Sequence, residues 1–179
     1  MNRNGNARGI RVENGVPTGT LSRIEGRQEA MEIGPEVANF FEYEVSKELL
    51  LRLRHDADMV ASITELARSQ GIAAASFTAI GALKSARLAY YDQRSHKYRE
   101  IRIDSACELI CCTGNVSLKD GKPFAHMHAI LADEIGNTKG GHLLEGIVFA
   151  GEVHLRQLKG PKLERKYDKI TGLSLWEVR

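Results

Sequence analysis

Hydrophobic and polar positions change rhythm several times along this chain, and each change predicts an element. Residues 43–53 alternate, with Val45, Leu49, Leu51 and Leu53 in one phase, and predict a first strand. The rhythm then turns helical. Met59, Val60, Ile63, Leu66 and Ala67 recur at helical spacing, Asp56 or Asp58 is placed to cap the start, and Gly71 stands where a C-terminal glycine is expected. A helix with one apolar stripe lies on a sheet.

Beyond Ile72 the pattern is that of strands and turns. It predicts a buried strand over 72–80 stopped at Gly81, an alternating strand over 85–91, and a turn at Asp92-Gln93-Arg94-Ser95 leading into 97–103. A central apolar strand over 107–113 is expected to end at Gly114. Residues 116–118 then run into the hairpin signal Asp120-Gly121, and Pro123 opens the next strand. The last long strand is expected over 142–158. One helix followed by many closely spaced strands implies an α+β fold, a single domain with a curved, mainly antiparallel β-sheet and a flanking helix. The expected organisation is a flexible N-terminal extension over 1–36, the domain over 37–158 and a basic C-terminal tail over 159–179.

Composition narrows the class. A chain of 179 residues, 42% hydrophobic and 27% charged, suits one globular domain with a proper core. No apolar run approaches the roughly 20 residues that span a bilayer. The first residues lack the apolar core of a secretory signal, so a cytoplasmic location without membrane partners is expected. Cys107, Cys111 and Cys112 form an odd set without Cys-x-x-Cys spacing and read as reduced core thiols, with a metal-ligating cysteine as the alternative. The net charge of +2 is uneven. Positive charge gathers in residues 1–27 and again in 159–179, where Lys159, Lys162, Arg165, Lys166, Lys169 and Arg179 face three acids, while the middle is acidic. Any nucleic-acid contact would therefore fall to the flanks or to a local patch.

The candidate chemistry lies in three histidines. His126 and His128 flank Met127 on a strand and project to one face, and Gly140-Gly141-His142 follows a polar loop. Neutral imidazole is the commonest zinc ligand, and three protein ligands leave a fourth position open. Single histidines of this kind are usually hydrogen-bonded core residues; His-x-His with a third favours metal. If Ala132 paired with His142 across a nine-residue loop, His142 would lie about 13 Å from His128 at ~3.3 Å per residue, too far to share an ion. Either the pairing shifts, which is the reading favoured here, or the third ligand comes from a neighbouring subunit. Glu152 shares the parity of His142 and is a candidate outer-sphere acceptor, fourth ligand or general base, against a plain solvent-facing glutamate. His154 reads as a surface residue. Gly140 and Gly141 read as positions whose backbone conformation forbids a side chain.

The string Thr113-Gly114-Asn115, Asp120-Gly121-Lys122-Pro123, His126-Met127-His128-Ala129-Ile130-Leu131-Ala132 and Gly140-Gly141-His142-Leu143-Leu144-Glu145-Gly146 resembles the plant and prokaryote conserved (PPC) domain. That domain stands alone in prokaryotes and is fused to AT-hook motifs in plants. The resemblance spans roughly 43–158 and extends to Tyr167-Asp168. It implies a homotrimer, a zinc site at His126, His128 and His142, and a DNA-binding or regulatory role. Two departures weaken the plant comparison. Ala7-Arg8-Gly9-Ile10-Arg11 lacks the Arg-Gly-Arg-Pro core, and Ser105-Ala106-Cys107-Glu108-Leu109-Ile110 keeps little of the plant Gly-Arg-Phe-Glu-Ile-Leu stretch. The alternative function is a metal-dependent enzyme acting on a small carbonyl or carboxylate substrate, since the expected fold is similar to that of acetolactate decarboxylase with its tri-histidine zinc. Glu152 would then move the proton, and Arg87 or Arg102 would pair a substrate carboxylate.

Overall fold

The computed structural model describes residues 40–177; the expected N-terminal extension over 1–36 lies outside them. The elements run β1 (Glu44–Leu53), α1 (Met59–Ser69), β2 (Ala75–Asp92), β3 (Lys97–Ile103), β4 (Cys107–Lys119), β5 (Lys122–Ala132), β6 (Thr138–Lys159), β7 (Glu164–Tyr167) and β8 (Ser174–Trp176). The fold is α+β, with one flanking helix on a mixed, mostly antiparallel curved sheet. Among the described residues only β4 and β7 pair in parallel. Strand β2 pairs with both β6 and β4, β6 pairs with β5, and β5 pairs with β4, so the sheet curls until its pairings close a ring.

The helix forms where its apolar stripe and its caps agree. Asp58 caps it, its carboxylate accepting from the Val60 amide at 2.7 Å. At the other end Gly71 takes φ +64°, while the Ile72 and Gly71 amides donate to the Ala67 and Arg68 carbonyls. This paired return of bonds satisfies the last carbonyls and turns the chain back to the sheet. Met59, Ile63 and Ala67 are fully buried against the inner sheet face, with Leu83, Met127 and Leu143 among the residues they join.

Two expected strand ends are not ends. Strand β2 continues through Gly81, which takes φ +147° at a register shift and lies so close to β6 that a Cβ would sit 2.2 Å from the Ala150 carbonyl oxygen. Strand β4 likewise continues through Gly114, where a Cβ would meet the Phe77 ring at 2.4 Å. Both glycines mark close approach within a strand. The expected basic tail is also different. In its described part, residues 159–177 carry β7 and β8, which extend the sheet from β4. No helix among the described residues is long and apolar enough to cross a membrane.

Candidate metal centre

Inner-face positions on β5 are Ala125, Met127, Ala129 and Leu131, all buried, so His126 and His128 project from the outer face. What brings the third histidine alongside is a short turn. Asp133 accepts hydrogen bonds from the Ile135 and Asn137 amides, and its own amide donates to the Asn137 carbonyl. This tight closure pairs Ala132 with Thr138 and sets His128 directly opposite His142. The separation expected from a nine-residue loop does not arise, because β6 begins four residues earlier than its apolar pattern suggests.

The three rings form a triangle with centroid separations of 5.2 Å (His126–His128), 5.0 Å (His126–His142) and 5.4 Å (His128–His142). One ligand nitrogen from each lies within 4.8 Å of the others, the only such group of metal-binding residues among those described. Nitrogens sharing one tetrahedral zinc at ~2.0–2.1 Å stand about 3.4 Å apart, so modest side-chain rotation closes the set. The donor set itself fits such an ion. The Nδ1 atom of His142 is buried with no hydrogen-bond partner, a state that costs free energy unless something is bound there. Burial, then the nearby Arg165 charge, pushes His126 down to about 4, and burial followed by His128 and Arg165 lowers His142. Both imidazoles are therefore neutral near pH 7, the form that ligates metal.

The surroundings come from elements that the sequence did not connect. On one side the rings of His96, Tyr91, Tyr98 and His142 follow one another, the Tyr98 and His142 centroids 5.8 Å apart. Arg165 of β7, only 7% exposed, also stands close by, within electrostatic reach of Tyr98. Its Nε donates to Ser117 Oγ at 2.8 Å, Nη1 to the Ser174 carbonyl at 3.1 Å and Nη2 to Asn115 Oδ1 at 2.9 Å. Asn115 is the cross-strand neighbour of His126. Sequence reasoning counted Arg165 as tail charge; its only local signal is a short alternation with buried Leu163.

Other candidates fall elsewhere. Glu152 lies ten residues along β6 from His142, roughly 33 Å at strand rise, opposite Ile80 and Arg52, and is not among the residues whose ligand atoms converge. His154 is 3.7 Å from Glu48 at the same distant end. Arg87 and Arg102 both bond Glu100 and are thereby committed. His55 bonds the Phe149 carbonyl. The three cysteines are free thiols outside the cluster, and burial pushes Cys112 up to about 12. Gly140 and Gly141 do not take positive φ. Gly141 is needed because a Cβ there would lie 2.8 Å from the Ala89 carbonyl oxygen; at Gly140 the nearest atom is 3.3 Å away.

Comparison with known families decides the lineage: residues 41–159 match the model of the Plants and Prokaryotes Conserved (PCC) domain. The chain belongs to that family. A metal-containing protein from Archaeoglobus fulgidus is similar at 44% identity and TM-score 0.75, covering 78% of this chain and 99% of its own. A Pyrococcus horikoshii plant- and prokaryote-conserved protein is similar at 40% identity and TM-score 0.73, covering 79% and 96%. A Ralstonia eutropha protein provisionally described as DNA-binding follows at 27% identity and TM-score 0.66, covering 73% and 90%. No curated protein matches the chain. As a PCC-domain protein with a candidate three-histidine metal site, it places that site on the outer sheet face beside its C-terminal strands.

Proposed function

We propose that this PCC-domain protein binds a divalent metal ion, zinc first, through His126, His128 and His142 of a single subunit. The observation that carries the reading is the convergence of three imidazoles with an unpartnered, buried Nδ1 on His142. The metal-containing Archaeoglobus relative supports it. The test is metal analysis of purified protein beside a His128→Ala variant. Stoichiometric metal in the wild type and little in the variant is expected; no metal in the wild type, or equal metal in both, would end the proposal.

The protein also assembles, in this reading, as a homotrimer. Support comes from the outer face at the far end of β6, where a groove of about 540 Å³ is lined by Leu50 and Ile80 together with Arg52, Glu152 and His154. Leu50 is 85% and Ile80 57% exposed there, on the two strands that flank β6, large apolar side chains that a neighbouring subunit would cover. A monomeric mass in solution overturns this part.

The DNA-binding role that the family resemblance implies rests on the Ralstonia relative's description and on exposed Lys159, Lys162, Lys166 and Lys169. Arg165 cannot serve it, being turned inward. Affinity for duplex DNA that falls steeply with salt would establish that role. A second reading, a metal-dependent enzyme on a small carbonyl or carboxylate substrate, is favoured by one observation. His128 is exposed and the cluster has no fourth protein ligand among the described residues, which leaves a coordination position facing solvent. An ion held so supplies Lewis acidity at its open position.

A further inference from the structure

Arg165 is a buried cation without a counter-ion. Among the described residues no carboxylate forms an ion pair with it, and its three hydrogen bonds go to a hydroxyl, a carbonyl and an amide oxygen. A guanidinium has five N–H donors, so two remain unused, one on each terminal nitrogen. The rings of Phe124 and Trp176 stand 5.5 Å and 5.8 Å from its Cζ, contacts that occupy ring faces and leave in-plane donors for another partner. Burying a charge is costly unless it is paired, and partial pairing by neutral oxygens repays only part of that cost.

The position of this cation matters as much as its isolation. Phe124 precedes His126 by two residues on the same strand, and Asn115, which holds Nη2, is paired with His126. With a dication held by three imidazoles, the locality would carry three positive charges and no protein anion among the described residues. Resting on the metal reading above, we propose that the site takes a small carboxylate, seated between the metal position and the Arg165 guanidinium. The planar fork of arginine matches a planar carboxylate, and the aromatic side formed by Tyr98 and Tyr91 suits a ligand with a short carbon body.

The test uses full-length protein loaded with cobalt(II), whose visible spectrum reports ligands entering its coordination sphere. Acetate is titrated, with acetamide as the uncharged counterpart and inorganic phosphate as a competing anion class, into wild type, Arg165→Gln and Arg165→Lys. The wild-type spectrum should respond to acetate well below the concentration of acetamide needed. The acetate midpoint should rise about tenfold or more in Arg165→Gln with cobalt still bound, and by less in Arg165→Lys, which keeps charge without the fork. Equal midpoints in wild type and Arg165→Gln, no preference for acetate over acetamide, or tighter response to phosphate overturns the carboxylate assignment while leaving the histidine site standing. Failure of the wild type to hold cobalt sinks both readings. Should Arg165→Gln not fold, Arg165→Lys carries the comparison: an acetate midpoint equal to that of the wild type, with cobalt still bound, overturns the assignment.

Discussion

The two ends of β6 carry histidines on the same outer face, His142 near the start and His154 near the end, with opposite fates. His142 faces His128 across a tight turn and finds two imidazoles, a tyrosine ring and a buried arginine. His154 faces Leu50 and Thr78, keeps 38% of its side chain exposed and stands beside Glu48. Their shared face is itself the outcome of irregularity. Inner positions run through Leu143, then Gly146 and Val148, then Val153 and Leu155, so two bulges each shift the alternation by one and cancel. What separates a candidate metal site from a surface contact here is the cross-strand neighbour, a property of register that no single strand contains.

The sharpest break of this comparison is His142→Ala against His154→Ala. Metal affinity measured by calorimetry should fall more than about 100-fold in the first, since loss of a ligand exceeds the 10–100-fold cost of disturbing its support. The second should match wild type, and a comparable loss in both would dissolve the distinction.

The glycines beside these histidines offer a smaller effect. Gly141→Ala forces a Cβ to 2.8 Å from a backbone oxygen, whereas at Gly151 the nearest atom is a Leu53 methyl at 3.4 Å, ordinary contact. Urea unfolding should show a loss of about 1–3 kcal/mol for Gly141→Ala, and about 0.5 kcal/mol or less for Gly151→Ala. Equal stability of the two variants would count against close packing at the histidine end.

The weakest effect is in pH. The folded protein holds His126 near 4 against an ordinary 6.5, mainly through burial. Between those values the unfolded chain binds a proton that the folded one refuses. The contribution is therefore complete above about pH 6.5 and is lost as pH falls towards 4. Metal-free protein should lose stability over that window, and His126→Gln should flatten the loss. An unchanged slope in the variant would show that the imidazole is not desolvated.

Much of this was legible from residues alone because it is local. Asp58, Gly71 and the stripe of Met59, Ile63 and Ala67 define α1 without help from distant parts, and Asp120-Gly121 turns the β4–β5 hairpin as its dipeptide requires. The chemistry of His126 and His128 is likewise written in one strand. The start of β6 was not legible, since Thr138 to Gly141 carry no apolar rhythm and their pairing is imposed by the Asp133 turn. Glu152 was a natural choice by parity, and the register sets it opposite Ile80, ten residues along β6 from His142. Arg165 escaped because its partners lie 48 and 50 residues away, at Ser117 and Asn115, and a lone cation among lysines looks like solvated charge.

The family's matched segment stops at residue 159, six positions short of Arg165. A protein severed at that boundary would retain every imidazole but shed the guanidinium, the indole and the turn that Tyr91 grips through the Thr171 carbonyl. The residues beyond that boundary, to the described end at Glu177, thus set a buried cation beside the three imidazoles through Asn115, the cross-strand neighbour of His126.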